Sequence, residues 1–388
     1  MIMRISKYLF GIFLLAGFMQ SCSTDVNVDG NDNKESKAMT LNIKGASSDT
    51  RASGTVGNES SVKNIVIAVF DGTSLENTFV VSSPDVTNNT ITKKITYKAA
   101  TPKIVVVANV PASLFAGVKT EDDFKALTAS LDNTTSIYNT ETADFTSAVG
   151  DKDNVGTQKS DVLPMIGTAS SIDANGNSTV SLYRMVSRVA INSITTAFSQ
   201  YGPYAGYIFK VEQVYMANVP SVSTLASEWD SNAGNNSPVT SALVQGLTTN
   251  ETGYKSYLGT GVINVATPFS TPQYFYVFPN TSTVFATQTK IIIKGQLYDK
   301  DGALVGTYYY PVVVNRAQTG TDINNSNSGD ASHSGNGTVG ANRTYTLGVT
   351  IMTKGNTNPD DDLKPNDLSI NITVSDWSSN LTQDVVFN

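Results

Sequence analysis

The chain has 388 residues, a net charge of −7 and only 15% charged residues. An acidic chain without a basic patch argues against nucleic-acid binding and against peripheral binding to anionic lipid. Thr, Ser, Asn, Val and Tyr dominate, which favours strands and turns over helices, and the length is enough for two domains.

The N-terminus carries a segment typical of an exported lipoprotein. Arg4 and Lys7 precede an apolar run over residues 8–18, which is too short for a membrane-spanning helix of about 20 residues but suits a secretory signal. Cys22 is the only cysteine, so it cannot form an internal disulfide. We interpret residues 1–21 as a signal peptide and Cys22 as the site of lipid attachment, with a plain signal peptide cut elsewhere as the alternative. A diacylated cysteine would supply a stable two-chain anchor.

The next segment is interpreted as a lipidated propeptide that ends at Arg51. Residues 23–38 are polar and form a tether that buries little surface. Beyond them Leu41 and Ile43 alternate with polar residues, as expected of a half-buried strand. Arg51 stands alone before Ala52 in a loop rich in Ser and Asp, where it offers an open site to a trypsin-like protease. A cut there would remove the strand and expose an apolar groove, which is chemistry for assembly.

A first β-sandwich domain is predicted over residues 52–184. Its strands are β-rich runs punctuated by turn residues, at positions 62–70, 91–97 and 103–108. One helix is predicted, because residues 120–123 resemble a capping box and Phe124 and Leu127 follow at helical spacing. Residues 132–161 are predicted to be loop, and residues 163–167 return to the core.

A second domain is predicted over residues 185–388. The run 181–191 is long for a single strand, so we expect it to pass from one sheet to the next. Further strands are predicted at 207–216, 273–278, 290–298, 307–315, 343–352 and 368–374, separated by loops at 230–261 and 317–342. Short strands without alternating helices indicate an all-β fold with a minor helix, built as two tandem sandwiches.

The residue types used in catalysis and metal binding form no recognisable constellation. His333 is the single histidine and has no second His or Cys at ligand spacing, and its Ser/Gly loop is a poor setting for a catalytic triad. Residues 360–362 have the charge for calcium but lack the Gly and distal Glu of an EF-hand loop, so we interpret them as a solvated linker. Trp229 and Trp377 are interpreted as packing residues in preference to a sugar platform. We expect no enzyme activity, no cofactor and no metal site.

A series of motifs runs in order along nearly the whole chain and carries a resemblance to a known family. The motifs are the leader with Cys22, Arg51 ahead of 62–70 (VKNIVIAVF), 163–167 (LPMIG), 184–190 (RMVSRVA), 214–220 (VYMANVP), 276–280 (YVFPN), 308–312 (YYYPV), 342–347 (NRTYTL) and 374–377 (VSDW). None is specific alone, but their order resembles the Bacteroidales-type fimbrillin family, the shaft subunits of type V pili.

The resemblance implies a fold of two transthyretin-like sandwiches with strand-exchange termini, and a route of assembly. A lipidated precursor reaches the outer membrane, an Arg-specific protease cuts between Arg51 and Ala52, and the C-terminal strand of another copy fills the vacated groove. The donor strand would lie at about 379–388, where Leu381, Val385 and Phe387 share one strand face that polar Gln383 interrupts. The product is a cell-surface fimbrium, built with accessory subunits and acting in adhesion and biofilm formation; its surface ligand stays open.

Two other functions remain open at this stage. Within the family, the chain would be an accessory, anchor or tip subunit; an anchor would lack a used arginine site, and a tip would lack a free donor strand. Outside the family, it would be a monomeric surface lipoprotein that binds glycans. Because the chain has both Arg51 and a strand-like tail, the shaft subunit is the preferred hypothesis.

Overall fold

The structure is a computed structural model that describes residues 35–45, 59–85, 90–130, 138–139, 157–158, 162–169, 171–220, 222–225, 243–244, 273–316, 321–325, 335–363 and 368–376. Its first half contains β1 (Lys37–Lys44), β2 (Asn64–Asp71), β3 (Ser74–Ser82), β4 (Thr90–Tyr97), β5 (Pro102–Ala108), a 3-10 turn (Ala112–Phe115), helix α1 (Glu121–Ala126), β6 (Thr128–Ser130), β7 (Tyr138–Asn139), β8 (Thr157–Gln158), β9 (Met165–Thr168), β10 (Asn177–Ser181) and β11 (Tyr183–Arg184).

Its second half contains β12 (Ser187–Thr196), β13 (Ile208–Ala217), β14 (Val219–Pro220), β15 (Val222–Thr224), β16 (Leu243–Val244), β17 (Gln273–Val277), β18 (Lys290–Tyr298), β19 (Leu304–Val313), β20 (Thr321–Asn325), β21 (Arg343–Ile351) and β22 (Leu368–Asp376). The predicted all-β fold with a minor helix is therefore confirmed. Among the described residues, no helix has the length and apolar character needed to cross a membrane.

Two facing sheets form the first sandwich. A three-stranded sheet has the order β10-β1-β4, and a five-stranded sheet has the order β11-β9-β5-β2-β3. Their inner faces share one apolar cluster, to which β1 contributes Leu41, β2 contributes Ile67 and β5 contributes Val106, all fully buried. Strand β1 therefore belongs to the core of this sandwich.

The central strand β2 is a continuous apolar run because both faces of its sheet are covered. Ile67 and Val69 face the three-stranded sheet, whereas Ala68 and Phe70 belong to a second apolar cluster. On that second face Phe70 packs edge-on against Phe124 of α1, with ring centroids 5.7 Å apart. A strand that is buried on both sides needs no polar alternation, which explains its sequence.

Helix α1 begins at the predicted capping box. The hydroxyl of Thr120 accepts a hydrogen bond from the backbone N–H of Asp123 at 3.1 Å, and the Asp123 carboxylate accepts one from the N–H of Thr120 at 2.9 Å. The helix ends at Ala126, and Leu127 is its extended C-cap, so it is shorter than the apolar spacing indicated. Glu121 ties it to the sheet below, because Lys103 of β5 and Lys125 both contact its carboxylate, at 2.6 and 2.7 Å.

The second sandwich also pairs a five-stranded with a three-stranded sheet. Their orders are β17-β12-β21-β22-β20 and β13-β18-β19. Strands β12 and β21 run parallel, as do β20 and β22, and the other pairs in these two sheets are antiparallel. The two inner faces meet in a core that includes Ile191, Phe275, Ile293, Tyr310 and Leu347.

The predicted passage between sheets occurs over residues 181–191. Strand β10 lies in the three-stranded sheet of the first sandwich, β11 pairs with β9 in its five-stranded sheet, and β12 joins the second sandwich. A second link is the pairing of β15 with β6. The seam between sandwiches is thus tied at two places, and its position as a domain boundary remains a prediction.

Several described strands lie where no strand was predicted; among them, β7 and β8 lie within the predicted loop 132–161 and β16 within the predicted loop 230–261. Strand β3 forms the outer edge of its sheet and is only half-buried, and β10 has polar residues at most positions. Strand β20 lies inside the predicted loop 317–342 and pairs in parallel with β22. Sequence patterning misses β3 and β10 because backbone pairing holds them with little apolar burial.

Candidate functional site

Strand β1 fills a groove between two strands that come from distant parts of the chain. It pairs antiparallel with β4 from Lys37 opposite Tyr97 to Lys44 opposite Thr90. On its other side it pairs parallel with β10, from Thr40 opposite Asn177 to Lys44 opposite Ser181. Without β1, neither β4 nor β10 would have a partner on its inner edge.

The inward face of β1 is apolar and fully enclosed. Met39, Leu41 and Ile43 are 2%, 0% and 0% exposed, whereas Thr40 and Asn42 on the outward face are half-buried. Both predicted strand residues, Leu41 and Ile43, therefore lie in the core. Burying three such side chains contributes about 5–9 kcal/mol before ordering costs. Removing β1 would uncover this surface and leave two open strand edges.

Backbone contacts close the groove at each end of β1. At the first end, the N–H of Thr40 donates to the carbonyl of Gly176 at 2.8 Å. Gly176 has a positive φ of 74° in a turn that Asp173 organises, since its carboxylate accepts hydrogen bonds from the backbone N–H groups of Asn175 and Asn177. These bonds, above all the one from Asn177, hold the pKa of Asp173 below its usual range. At the other end, the carbonyl of Lys44 accepts from the N–H of Leu182 at 2.9 Å.

A buried polar cluster surrounds Glu59, which lies ahead of β2. The carboxylate of Glu59 accepts hydrogen bonds from Arg188 at 3.0 and 3.1 Å and from the Tyr276 hydroxyl at 2.6 Å. The backbone carbonyl of Glu59 accepts one from Nε of Arg184 at 3.1 Å. Glu59, Arg188, Arg184 and Tyr276 are 6%, 3%, 0% and 0% exposed. We call these four residues the Glu59 clamp.

Sequence reasoning did not single out Glu59, although a signal was present. Arg184 and Arg188 stand in an otherwise apolar run, and a buried guanidinium needs a buried acceptor. Glu59 is the one acidic residue between Asp49 and Asp71. The pairing of these charges across a long stretch of sequence is visible only in the fold.

The remaining predicted site residues lie outside the described part of the chain. These are Cys22, Arg51, Ala52, Leu381, Val385 and Phe387. Of the predicted sites, the structure therefore locates only the strand that would be displaced.

The described residues bring no three His, Cys, Asp or Glu side chains together as a possible metal site. Asp362, from the acidic run 360–362, instead forms a bidentate ion pair with Arg316, with N–O distances of 2.6 and 3.0 Å. Deeper in this sandwich, burial lowers the pKa of Lys290, whose Nζ lies 3.9 Å from the ring centroid of Phe285. His333, Trp229 and Trp377 lie outside the described residues.

Comparison with protein families gives a match over the first sandwich. Residues 38–184 match the family described as "Major fimbrial subunit protein (FimA)". The matched segment begins within β1 and ends with β11, so it includes the groove, both strands that line it and the strand that fills it. A search of curated protein sequences finds no significant match.

Solved structures share the fold over nearly the whole chain. A candidate cell adhesion protein from Bacteroides eggerthii aligns with a TM-score of 0.60 at 20% identity, covering 90% of this chain and 98% of its own. A second one, from Parabacteroides distasonis, gives a TM-score of 0.61 at 16% identity, with 89% and 99% covered. A fimbrilin from Porphyromonas gingivalis gives 0.54 at 18% identity, with 87% and 97% covered. At these identities the likeness shows a common fold.

Proposed function

We propose that this chain, which over residues 38–184 belongs to the FimA major fimbrial subunit family, is the shaft subunit of a cell-surface fimbrium that polymerises by strand exchange. The single observation that supports this proposal is the position of β1. This strand is paired on both sides, and its apolar face is almost completely buried. A strand of that kind keeps the subunit folded and its groove closed until it is removed.

In the proposed mechanism, a protease cuts after Arg51 and so frees β1 from the rest of the subunit. The vacated groove then presents an apolar floor and two unpaired edges, which match what a strand of another chain supplies: backbone donors and acceptors and alternate apolar side chains. We assign this role to the C-terminal segment of a second copy, through Leu381, Val385 and Phe387. The lateral hydrogen bonds of β4 and β10 would thereby be restored between subunits.

The proposal extends to the place and the partners of the subunit. The precursor is anchored in the outer membrane through lipid on Cys22, and the mature subunit lies in a surface fimbrium that supports adhesion and biofilm formation. Its partners are other copies of itself, accessory fimbrial subunits and an Arg-specific protease. The subunit performs no catalysis, since its chemistry is the exchange of one strand for another.

Replacing the cut site tests the mechanism. The Arg51→Ala precursor should retain β1 and remain monomeric, because Met39, Leu41 and Ile43 still occupy the groove. The wild-type protein should yield a mature chain that begins at Ala52 and forms a ladder of polymers on unheated denaturing gels. N-terminal sequencing of the assembled form and the ladder together measure both steps.

The matched control is Arg51→Lys, treated with purified trypsin. Trypsin accepts lysine, so this variant should be cut and should polymerise, whereas Arg51→Ala should resist cleavage at this position. Normal ladders from uncut Arg51→Ala protein would contradict the proposal. A subunit that is cut and loses β1 but adds to only one neighbour would instead be a tip or accessory subunit.

A further inference from the structure

The Glu59 clamp connects the first residues after the cleavage loop to the second sandwich. Glu59 lies eight positions after Arg51, ahead of β2 of the first sandwich. Arg188 belongs to β12 and Tyr276 to β17, two paired strands of the second sandwich. The carboxylate of one sandwich is therefore held by donors of the other.

The Glu59 clamp requires its charged groups to be paired because they are buried. Both the carboxylate and the Arg188 guanidinium are almost fully enclosed, with side-chain exposures of 7% and 4%. Such a pair is maintained only when each charge keeps its partner, since removing one leaves the other without compensation. Tyr276 adds a short hydrogen bond at 2.6 Å to the same carboxylate. The other three residues of the clamp consequently hold Glu59 at one position.

Hydrogen bonds with Asn109 fix the segment between Glu59 and β2 as well. The side-chain amide of Asn109 donates to the carbonyls of Ser61 and Leu163, both at 2.8 Å, and its oxygen accepts from the N–H of Lys63 at 2.8 Å. Asn109 has a φ of 60°, a conformation that asparagine tolerates better than most residues. Glu59, Ser61 and Lys63 are thus held by hydrogen bonds, none of which comes from β1, although Val62 between them lies in the same apolar cluster as β1.

We propose that Glu59 is the anchor of the processed chain. It ties the new end of the subunit to the second sandwich, so that loss of β1 opens the groove without loosening the junction between the sandwiches. The inference rests on the proposed function, because it concerns the subunit after the cut at Arg51. Glu59 acts as a positioning residue, which keeps the cut segment and the start of β2 in place while the donor strand enters.

Trimming of the cut protein by an aminopeptidase tests the anchor. The full precursor is cut with trypsin, β1 is removed, and the aminopeptidase then digests the new N-terminus from Ala52. In the wild type, trimming should stop at or before Glu59, which intact-mass measurement reads directly. In Glu59→Gln, which replaces the charge-assisted hydrogen bonds from Arg188 with weaker ones, trimming past residue 59 should be about tenfold faster.

Two further variants separate anchoring from general stability. Tyr276→Phe removes one hydrogen bond to Glu59 and no charge, so it should fold and show the same change to a smaller extent. Val349→Ala weakens the buried core strand β21 without contacting the clamp, and its trimming should stop where the wild type stops.

Trimming that stops at the wild-type position in both Glu59→Gln and Tyr276→Phe would overturn the anchor. Faster trimming in Val349→Ala to the same extent would also overturn it, since general destabilisation would then explain the effect. Polymer ladders are scored in parallel. Failure of the wild type to polymerise counts against the proposed function, and the trimming result is read on single subunits without polymerisation.

Discussion

Each three-stranded sheet has a central strand with a buried apolar face, but the two central strands are paired and connected differently: β1 is parallel to β10 and antiparallel to β4, whereas β18 is antiparallel to both of its neighbours. Strand β1 lies between β10 and β4, and β18 lies between β13 and β19, and both central strands bury their apolar face completely. Strand β18 continues into β19 through a tight turn, in which the N–H of Asp299 donates to the carbonyl of Ala303 at 2.9 Å. Strand β1 is followed along the chain by neither of its partners, and the sequence after it contains Arg51, the proposed cut site. Burial alone therefore does not distinguish β1, the strand proposed for exchange, from β18.

The likeness of the sandwiches extends to the turns that follow core strands. The sequence Ala-Asn-Val-Pro occurs after β5 and after β13, and Asn109 and Asn218 have φ angles of 60° and 57°. Each asparagine amide donates to two backbone carbonyls, those of Ser61 and Leu163 in the first case and those of Ala286 and Gln288 in the second. Because these turns are alike, the difference between β1 and β18 lies in how each strand is paired and connected to the rest of the chain.

The largest effect is expected from a charge in the fixed central strand. Ile293 of β18 is fully buried, and Ile293→Asp places an unpartnered carboxylate in the core at a cost of several kcal/mol. Because β18 cannot leave its sheet, the second sandwich should lose cooperative folding. Circular dichroism and the yield of soluble precursor measure this outcome. The control is Gln296→Glu, on the same strand at a half-buried position, which should fold. A folded, cooperative Ile293→Asp protein would contradict the comparison.

An intermediate effect is expected from a cavity under the exchangeable strand. Leu41→Ala should lower the free energy of unfolding of the precursor by about 2–5 kcal/mol, as expected for a fully buried leucine. The same substitution should leave the mature polymer unchanged, since the proposed exchange removes β1 from it. Urea unfolding of the precursor and heat resistance of the polymer measure the two halves of this prediction.

The control for that substitution is Asn42→Ala, which changes the neighbouring residue on the half-exposed face of β1. It should lower precursor stability much less, because Asn42 contributes one hydrogen bond from Thr92 at 3.2 Å and no apolar core contact. If Leu41→Ala weakened the mature polymer as much as the precursor, β1 would still be part of it and the proposed exchange would be wrong.

The sequence predicted the core strands well because their signal is apolar and local. Residues 290–298 were predicted as a strand and form β18, and alternation placed Leu41 and Ile43 on a buried face, where the structure has them. The partners of β1 were harder to predict. Strand β4 has an apolar alternation, but β10 reads Asn-Ser-Thr-Val-Ser and buries only Ser178 and Val180. Parallel pairing across such a long stretch of sequence leaves no local trace.

The contacts of the Glu59 clamp likewise could not be predicted from the local sequence. Arg184 and Arg188 were recognised as part of a motif, but the identity of their acceptor depends on how β12 and β17 approach the loop ahead of β2. A buried charge in the sequence indicates that a partner is present, but only the fold shows which residue that partner is. The strand that fills the groove was thus predictable from the sequence. Its pairing with β4 and β10 and the contacts of the Glu59 clamp required the structure.

The smallest effect concerns the face of the first sandwich that lies opposite β1. Contacts with Lys103, and then with Lys125, lower the pKa of Glu121 from 4.5 to about 2. Because the folded pKa lies below the ordinary value, ionised Glu121 stabilises the docking of α1 above about pH 4.5, and this contribution is lost as the pH falls from 4.5 toward 2. Both lysines are about one-third exposed, so the contribution should be about 1 kcal/mol or less.

The Glu121→Gln variant should reduce the pH dependence in this window by the share of Glu121, and Asp301→Asn, which breaks the exposed pair with Lys300, should leave it unchanged. The carboxylates of Asp123 and Asp173, whose pKa values are also lowered, account for a further part of the dependence. Melting temperatures measured from pH 2 to 6 test the difference.

Since Lys103 points to the helix side of β5 and the groove lies on the other side, the part of the dependence that Glu121→Gln removes should be equal in precursor and cut protein. A larger dependence in the cut protein would mean that the filled groove also supports the opposite face of the sheet, and that the exchangeable strand is less independent than its connections indicate.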